Sequence, residues 1–401
     1  MGTDDGRSGP RAEPQERTHR GRGVNAARRP EPEPAHDPLR FADDLGPAKI
    51  LHITERSTGL RATVVVDNVA VGPAIGGVRM ACAVTTEECV GLARAMTLKN
   101  AAARIRHGGA KAVIAGDPRM PIDEKEQLIR AFARAIADLH DYIPGPDMGL
   151  DERCMAWVHD EIGRCIGLPA ALGGIPLDEI GATAFGLAAS IDVAAAHIGM
   201  TLRGARVAVQ GFGAVGGHVA RFLSTRGCVL VGAADASGAI VDQDGLDVEA
   251  LVRVHDAGSI VDHPAGEHLD RDAIVGVDCD IWIPAARPHV LRADNVDTVT
   301  ARIVAQGANI PATPEAEARL HERGVLSLPD FVVNAGGVIC GAVEIGGGTE
   351  ADALKVIDER IRTNTGDMLG RADRDGVTPR AAATSFAESR VREAMATRRF
   401  C

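Results

Sequence analysis

Lys99 and Lys111 lie in one short stretch, "MTLKNAAARIRHGGAKAVIAGDP", from Met96 to Pro118. The 401-residue chain has only three other lysines, Lys49, Lys125 and Lys355, and otherwise writes its positive charge as arginine. A guanidinium stays protonated, with a pKa above about 12. An amine among apolar residues and beside a second cation has its charged form disfavoured, and it can then act as a base or activate water near neutral pH. Gly108 and Gly109, just before Lys111, are expected to bend the backbone sharply and let a substrate come close.

A second stretch, "ARVAVQGFGAVGGHVARFLSTRGCVLVGAADASG", has glycines at 211, 213 and 216 in the order G-x-G-x-x-G. An apolar strand precedes them, a helix is expected to follow, and a second strand ends at Asp235. In that setting the glycines allow a tight turn and close approach of backbone to a pyrophosphate. The helix start, at Ala214 and Val215, offers N–H groups and a positive dipole end. An acidic residue where Asp235 stands can accept from the adenosine ribose hydroxyls and repel a 2′-phosphate, which favours NAD over NADP. A nicotinamide cofactor implies hydride transfer, with the protein positioning and ionising the substrate.

These residues need elements to hold them. Residues 1–45 mix both charges with proline and few large apolar side chains, as a disordered tail does. From Lys49, "AKILHITERSTGLRATVVVDN" reads as two strands, and "GPAIGG" as a Gly/Pro turn. Thr85 should cap a helix through the Lys99 region, with Glu87 and Glu88 in its first turn. "KAVIAGD" reads as a buried strand, "PIDEKEQLIRAFARAIADLH" as an amphipathic helix, and "YIPGPDMG" as a loop. Further on come a helix over 182–197, a strand over 206–210, a helix over 218–226 and a strand over 229–234. Strands over 281–284, 303–305 and 326–328 follow, so a parallel sheet covered on both faces is expected. The fold class is α/β with two domains and a cleft between them. Residues 46–178 plus 336–401 would bind substrate and mediate oligomerisation, and 179–335 would be a Rossmann-type dinucleotide domain.

The bulk properties set limits. The formal charge is −11 and the pI about 5.6, which argues against a general binder of nucleic acid or anionic membrane. No apolar run reaches the roughly 18–20 residues that span a bilayer, and the N-terminus lacks a signal core. A cytoplasmic location is expected. The eight cysteines form no CxxC pair, so neither a disulfide framework nor a metal site is expected.

The chain resembles the Glu/Leu/Phe/Val dehydrogenase family. The resemblance rests on "GPAIGGVRM", "MTLKNAAARIRHGGAKAVIAGDP", "GPDMGLDERCMAWVHDE", "GATAFG", "VAVQGFGAVGGHVA", "CDIWIPAA" and "QGANIPATPEAEARLHERGVLSLPDFVVNAGGVI", in order from about Lys49 onward. It implies that Lys99 binds the substrate α-carboxylate, that Lys111 is the catalytic lysine, and that Asp147 shuttles protons. It places Gly76 and Gly77 in the substrate pocket, Thr183 and Asn334 against the nicotinamide amide, and Asn309 on the cofactor or substrate side of the cleft. It also implies a homo-oligomer, an amino acid and a 2-oxo acid as reactants, and NAD as cofactor. Glutamate-specific members have a lysine where Ile75 stands and a serine where Gly341 stands. Without them a γ-carboxylate would be buried unpaired, at a cost of several kcal/mol. The expected substrate is therefore an apolar L-amino acid of the leucine, valine or isoleucine type. The alternatives are a glutamate dehydrogenase of the same family and an NAD-binding regulator without turnover. A 2-hydroxy-acid dehydrogenase would want a catalytic His–carboxylate pair, and none stands out.

Overall fold

A computed structural model of the chain describes Met1, Asp37 and Leu39–Arg398. Most of the tail expected over 1–45 lies outside these residues, but its end is packed. Leu45 is buried, and Asp43 accepts two hydrogen bonds from Arg94 at 2.8 Å each. From Phe41 onward the chain packs as one unit.

The first sheet contains β1 (Lys49–Glu55), β2 (Leu60–Asn68), β3 (Ala74–Ala81), β4 (Gly108–Ala115) and β5 (Tyr142–Pro146), in the order β1-β2-β4-β3-β5. β2 runs antiparallel to β1 and β4, while β3 is parallel to β4 and β5. Helix α1 (Thr86–Ala102) crosses one face, and α2 (Ile122–Ala135) and α3 (Glu152–Ile162) cover the other. β2 and β4 are buried almost throughout, which is why "TVVV" and "AVI" are continuous apolar runs rather than alternating ones. Thr85 caps α1 as expected, accepting from Glu88 N at 3.0 Å.

Three local expectations need correction. "GPAIGG" is not a turn beyond Pro73 but the start of β3. Its Gly76 is required by packing, since a Cβ there would lie 1.7 Å from Ala110 O. "YIPGP" is not a loop but β5, an edge strand, where proline costs no ladder hydrogen bond on the open side. Gly108 and Gly109 do not bend the chain. They lie within β4, where added Cβ atoms would meet Asn68 O at 1.8 Å and Thr97 N at 2.0 Å, so they let β2 and α1 approach.

The second sheet has the order β12-β11-β10-β6-β7-β8-β9. Its strands are β6 (Arg206–Gln210), β7 (Val229–Ala234), β8 (Ala239–Val241), β9 (Glu267–Leu269), β10 (Ile281–Pro284), β11 (Ile303–Ala305) and β12 (Leu326–Leu328). The five strands from β12 to β7 are parallel, as expected, and β8 and β9 extend the sheet antiparallel. Helices α4 (Ala182–His197), α5 (Ala214–Ser224), α6 (Val248–Ala257) and α7 (Pro314–Glu322) accompany this sheet. The helix expected over 218–226 begins earlier, because Ala214–Gly217 form its first turn. The chain ends in α8 (Asp330–Val333), α9 (Gly336–Ile345), α10 (Glu350–Asp375) and α11 (Pro379–Thr397). α10 packs on α4 and α11 on α1, so the terminal helices join the parts bearing the two sheets. Among the described residues no helix is long and apolar enough to cross a membrane.

Arg380 at the start of α11 fixes that junction. It donates to Glu317 Oε2 at 2.5 Å, Gln306 Oε1 at 2.9 Å and Asp330 Oδ1 at 2.8 Å, and its guanidinium lies over the Phe331 ring. Both carboxylates are buried. Removing the cation from such a group strands two buried charges, at a cost on the order of 3 kcal/mol or more. Arg380→Ala should accordingly lower the thermal midpoint by several degrees, while Arg392→Ala, on the exposed side of α11, should leave it almost unchanged.

Candidate active site

The two-residue period of a strand sorts the chemistry onto one sheet face. Ile75, Gly77 and Arg79 of β3, Lys111 of β4, and Gly145 and Asp147 of and just after β5 all line one cleft of about 250 Å³, which α1 closes with Lys99. Alanines and valines at the alternate positions pack against α2 and α3.

Lys111 Nζ lies 2.7 Å from Asp147 Oδ2. Arg79 Nε donates to the same oxygen at 2.9 Å, and Arg79 Nη1 reaches Glu88 Oε1 at 2.8 Å. Lys111 is 5% exposed. Burial alone would raise the Asp147 carboxyl, but Lys111 and Arg79 together outweigh it and hold the group below the usual carboxylate range. Arg79 is absent from the expected site residues. Its signal in the sequence is the "GGVR" spacing, which puts it on the face of Gly77.

Lys99 faces the cleft half-buried. Burial pushes its amine down to about 8 and Lys111 adds to that, while Asp330 and Asp147 pull the other way. A lysine that binds a carboxylate works only when charged, so capture by the free protein should weaken above about pH 8. kcat/KM for an amino acid is expected to lose an alkaline limb near that pH in Lys99→Arg, whose guanidinium stays charged. An unchanged profile would remove Lys99 from carboxylate binding.

Gly77 keeps the space before Lys111 open. A Cβ there would fall 3.3 Å from Lys111 Nζ and 2.8 Å from Asp147 Cβ. Gly76, expected beside it in the pocket, faces the Ala110 carbonyl instead, and its own carbonyl accepts from Tyr142 Oη at 3.0 Å. Ile75 does line the cleft, together with Ile166, Leu177 and Val338. Gly341, also expected in the pocket, does not line it, because Ile166 occupies the space a side chain at 341 would enter.

The glycine motif takes three distinct geometries. Gly211 turns at φ +97° against Ala286, and a Cβ on Gly216 would lie 1.9 Å from Gly211 O. Gly213 opens on empty space, and the following helix start at Ala214 and Val215 has no side-chain cap. Thr183, Asn309 and Asn334 meet at the cleft. Asn334 Nδ2 donates to Gly307 O at 3.2 Å and Asn309 Oδ1 at 3.1 Å, while its Oδ1 is buried without a hydrogen-bond partner. An orphaned acceptor there fits the amide NH2 of a nicotinamide, and the open glycine turn fits a pyrophosphate.

Asp235 does not fit its expected role as cleanly. Its Oδ1 accepts from Ser237 N at 2.7 Å and Gly238 N at 3.3 Å, and its Oδ2 from Ser259 Oγ at 2.7 Å and Ile260 N at 2.9 Å. A carboxylate has about four lone-pair sites, and here each has an internal donor. Ribose hydroxyls would have to compete with them, so a preference for NAD over NADP does not follow from this residue.

Among the described residues no group of three or more His, Cys, Asp or Glu side chains is placed to hold a metal ion. The seven described cysteines are free, and all but Cys82 are buried.

Two family models match the chain. "Glu/Leu/Phe/Val dehydrogenase, dimerisation domain" covers residues 48–164, and "Glutamate/Leucine/Phenylalanine/Valine dehydrogenase" covers residues 173–399. The NAD-specific glutamate dehydrogenase of Staphylococcus aureus is 38% identical over 75% of this chain and 75% of its own. The NADP-specific glutamate dehydrogenase of Saccharolobus shibatae is 35% identical over 82% of this chain and 83% of its own. Among solved structures, the hetero-hexameric glutamate dehydrogenase of Thermus thermophilus in a leucine-bound form aligns with a TM-score of 0.80 at 31% identity. That alignment covers 87% of this chain and 89% of the other.

Proposed function

The chain belongs to the Glu/Leu/Phe/Val dehydrogenase family, and from that premise we propose that it oxidatively deaminates an L-amino acid to its 2-oxo acid and ammonia. The observation that carries this is the cleft holding Lys99, Lys111 and Asp147 within reach of Thr183 and Asn334.

Bound at the Gly211–Gly216 turn with its amide at Asn334 and Thr183, a nicotinamide dinucleotide supplies the hydride acceptor. Lys99 holds the α-carboxylate and so fixes the Cα–H toward that acceptor. Lys111 holds and activates a water whose oxygen bonds to the substrate α-carbon as the C=N π bond opens. Asp147 takes a proton from that water and gives it to the nitrogen. The C–N bond then breaks, ammonia leaves and the 2-oxo acid remains. Arg79 keeps Asp147 ionised between these steps. In this scheme the part around the first sheet handles the amino acid and the part around the second handles the dinucleotide.

We assign the side chain to the apolar class, because Ile75, Ile166, Leu177 and Val338 line its end of the cleft without a cation for a γ-carboxylate. Kinship supports a second reading, glutamate, since the relatives above are glutamate dehydrogenases. That support is stronger than anything the relatives lend to a leucine-type substrate. We take NAD as the cofactor, with NADP as the alternative that the Saccharolobus relative represents. The match of residues 48–164 to a dimerisation domain supports a homo-oligomer. Initial rates with each of the twenty amino acids, under NAD and then NADP, decide these points. Leucine, valine or isoleucine exceeding glutamate in kcat/KM supports the apolar assignment, and the reverse order replaces it with glutamate.

A further inference from the structure

Two glycines on separate elements, Gly145 in β5 and Gly341 in α9, make room for one side chain. A Cβ on Gly145 would lie 2.6 Å from Ile166 Cγ1 and 2.9 Å from Ile166 Cδ1. A Cβ on Gly341 would lie 2.6 Å from Ile166 Cδ1 and 3.1 Å from Ile166 Cβ. Ile166 thus sits in a slot that any larger residue at either position would close. Its far side lines the cleft beside Ile75 and Val338.

The backbone under Ile166 is held in place. Its N–H donates to Pro144 O at 2.9 Å, which ties it to β5. The next residue, Gly167, turns at φ +72° against the Pro146 ring, a conformation that favours glycine. Glu344, three residues beyond Gly341 and so on the same side of α9, accepts from Gly167 N at 3.2 Å, Leu168 N at 3.1 Å and Ile175 N at 3.5 Å. One helix therefore leaves the hole for Ile166 and anchors the loop that inserts it.

We infer that Ile166 is the specificity-determining floor of the substrate side-chain pocket, seated by Gly145, Gly341 and Glu344, and that it limits the pocket to side chains of leucine size. This rests on the apolar assignment above. A branched aliphatic side chain ends against the Ile166 methyl groups, and an aromatic ring would need the space they fill.

The test uses the full chain and the variants Ile166→Val, Ile166→Ala, Gly341→Ala and the double variant Ile166→Ala/Gly341→Ala. Ile166→Ala should raise the phenylalanine-to-leucine ratio of kcat/KM by about 10- to 100-fold, the range that a few methylenes command in an apolar pocket. The change should appear mainly in KM, and Ile166→Val should move the ratio the same way by less. Gly341→Ala alone should raise KM for leucine by pushing Ile166 into the cleft. It should do so much less when Ile166 is already alanine. A phenylalanine-to-leucine ratio that stays constant across the Ile166 variants overturns the inference, as does an additive effect of the two substitutions.

Thermal midpoints separate this failure from failure of the apolar assignment. If the wild-type chain prefers glutamate, the assignment falls. The shared slot still predicts that Gly341→Ala lowers the midpoint in the wild-type background and lowers it less in Ile166→Ala. Equal losses in both backgrounds refute the slot itself.

Discussion

Lys111→Met is expected to lower kcat by about 10³-fold while leaving the fold intact, with a range of 10² to 10⁴ set by what positioned acid–base groups contribute. Methionine keeps most of the length of the side chain and removes the amine. The partner carboxylate is not abandoned, because Arg79 still donates to Asp147 Oδ2 at 2.9 Å. The thermal midpoint should therefore move by no more than a few degrees. Lys111→Arg should be as inactive as Lys111→Met. A guanidinium does not release its proton, and Lys111 is buried in β4, where Gly77 leaves little room in front of it. Lys99→Arg should behave differently and keep measurable turnover with a raised KM, because that position needs charge. Steady-state rates and melting curves of the three variants check this. Equal tolerance of Lys99→Arg and Lys111→Arg would refute the division of labour between the two lysines.

Asp147→Asn should also cost about 10²- to 10⁴-fold in kcat, since the amide can neither take nor return a proton. Unlike the lysine change, it should carry a clear stability cost. Asp147 is the carboxylate shared by Lys111 and Arg79, and removing its charge leaves two cations facing each other in a largely buried site. Losing one partner of such a group costs on the order of 3 kcal/mol. The sign with pH follows from the depressed Asp147 carboxyl. Its contribution is present above the ordinary carboxylate pKa of about 4 and is lost as pH falls through the still lower value in the folded chain. Melting curves of wild type and Asp147→Asn should differ at neutral pH and converge in acid. A constant gap across that range would show that the charge of Asp147 is not what stabilises the site.

Much of this arrangement is legible before any coordinates. The strands over 206–210, 229–234, 281–284, 303–305 and 326–328 stand where apolar runs predict them, because a parallel strand buried on both faces must be apolar throughout. The α/β class with two sheets follows from the same runs. β3 and β5 are not legible, because their glycines and prolines read as turns. Those residues instead serve close approach, of β3 to the Ala110 carbonyl and of β5 to Ile166. β8 and β9 are three residues each, too short to show a period. Within the site, Lys99, Lys111, Asp147 and Ile75 line the cleft as the family resemblance implies, while Gly76 and Gly341 do not. Asp235 shows why a motif alone is insufficient. Its spacing matches a ribose acceptor, but donors from Ser259 and Ile260, far along the chain, have taken one carboxylate oxygen. Ile166 has no motif at all, because its role comes from two glycines that are distant in sequence.

The central claim is that this cleft couples nucleotide reduction to loss of an amino group through Lys111. The most direct measurement follows, in one reaction, the reduced nucleotide by its near-ultraviolet absorbance and the ammonia released, for wild type and Lys111→Met with an excess of L-amino acid. The account predicts one ammonia for each reduced nucleotide in wild type, and almost none of either from the variant over the same time. Undiminished turnover in Lys111→Met, or reduced nucleotide formed in wild type without matching ammonia, would contradict it.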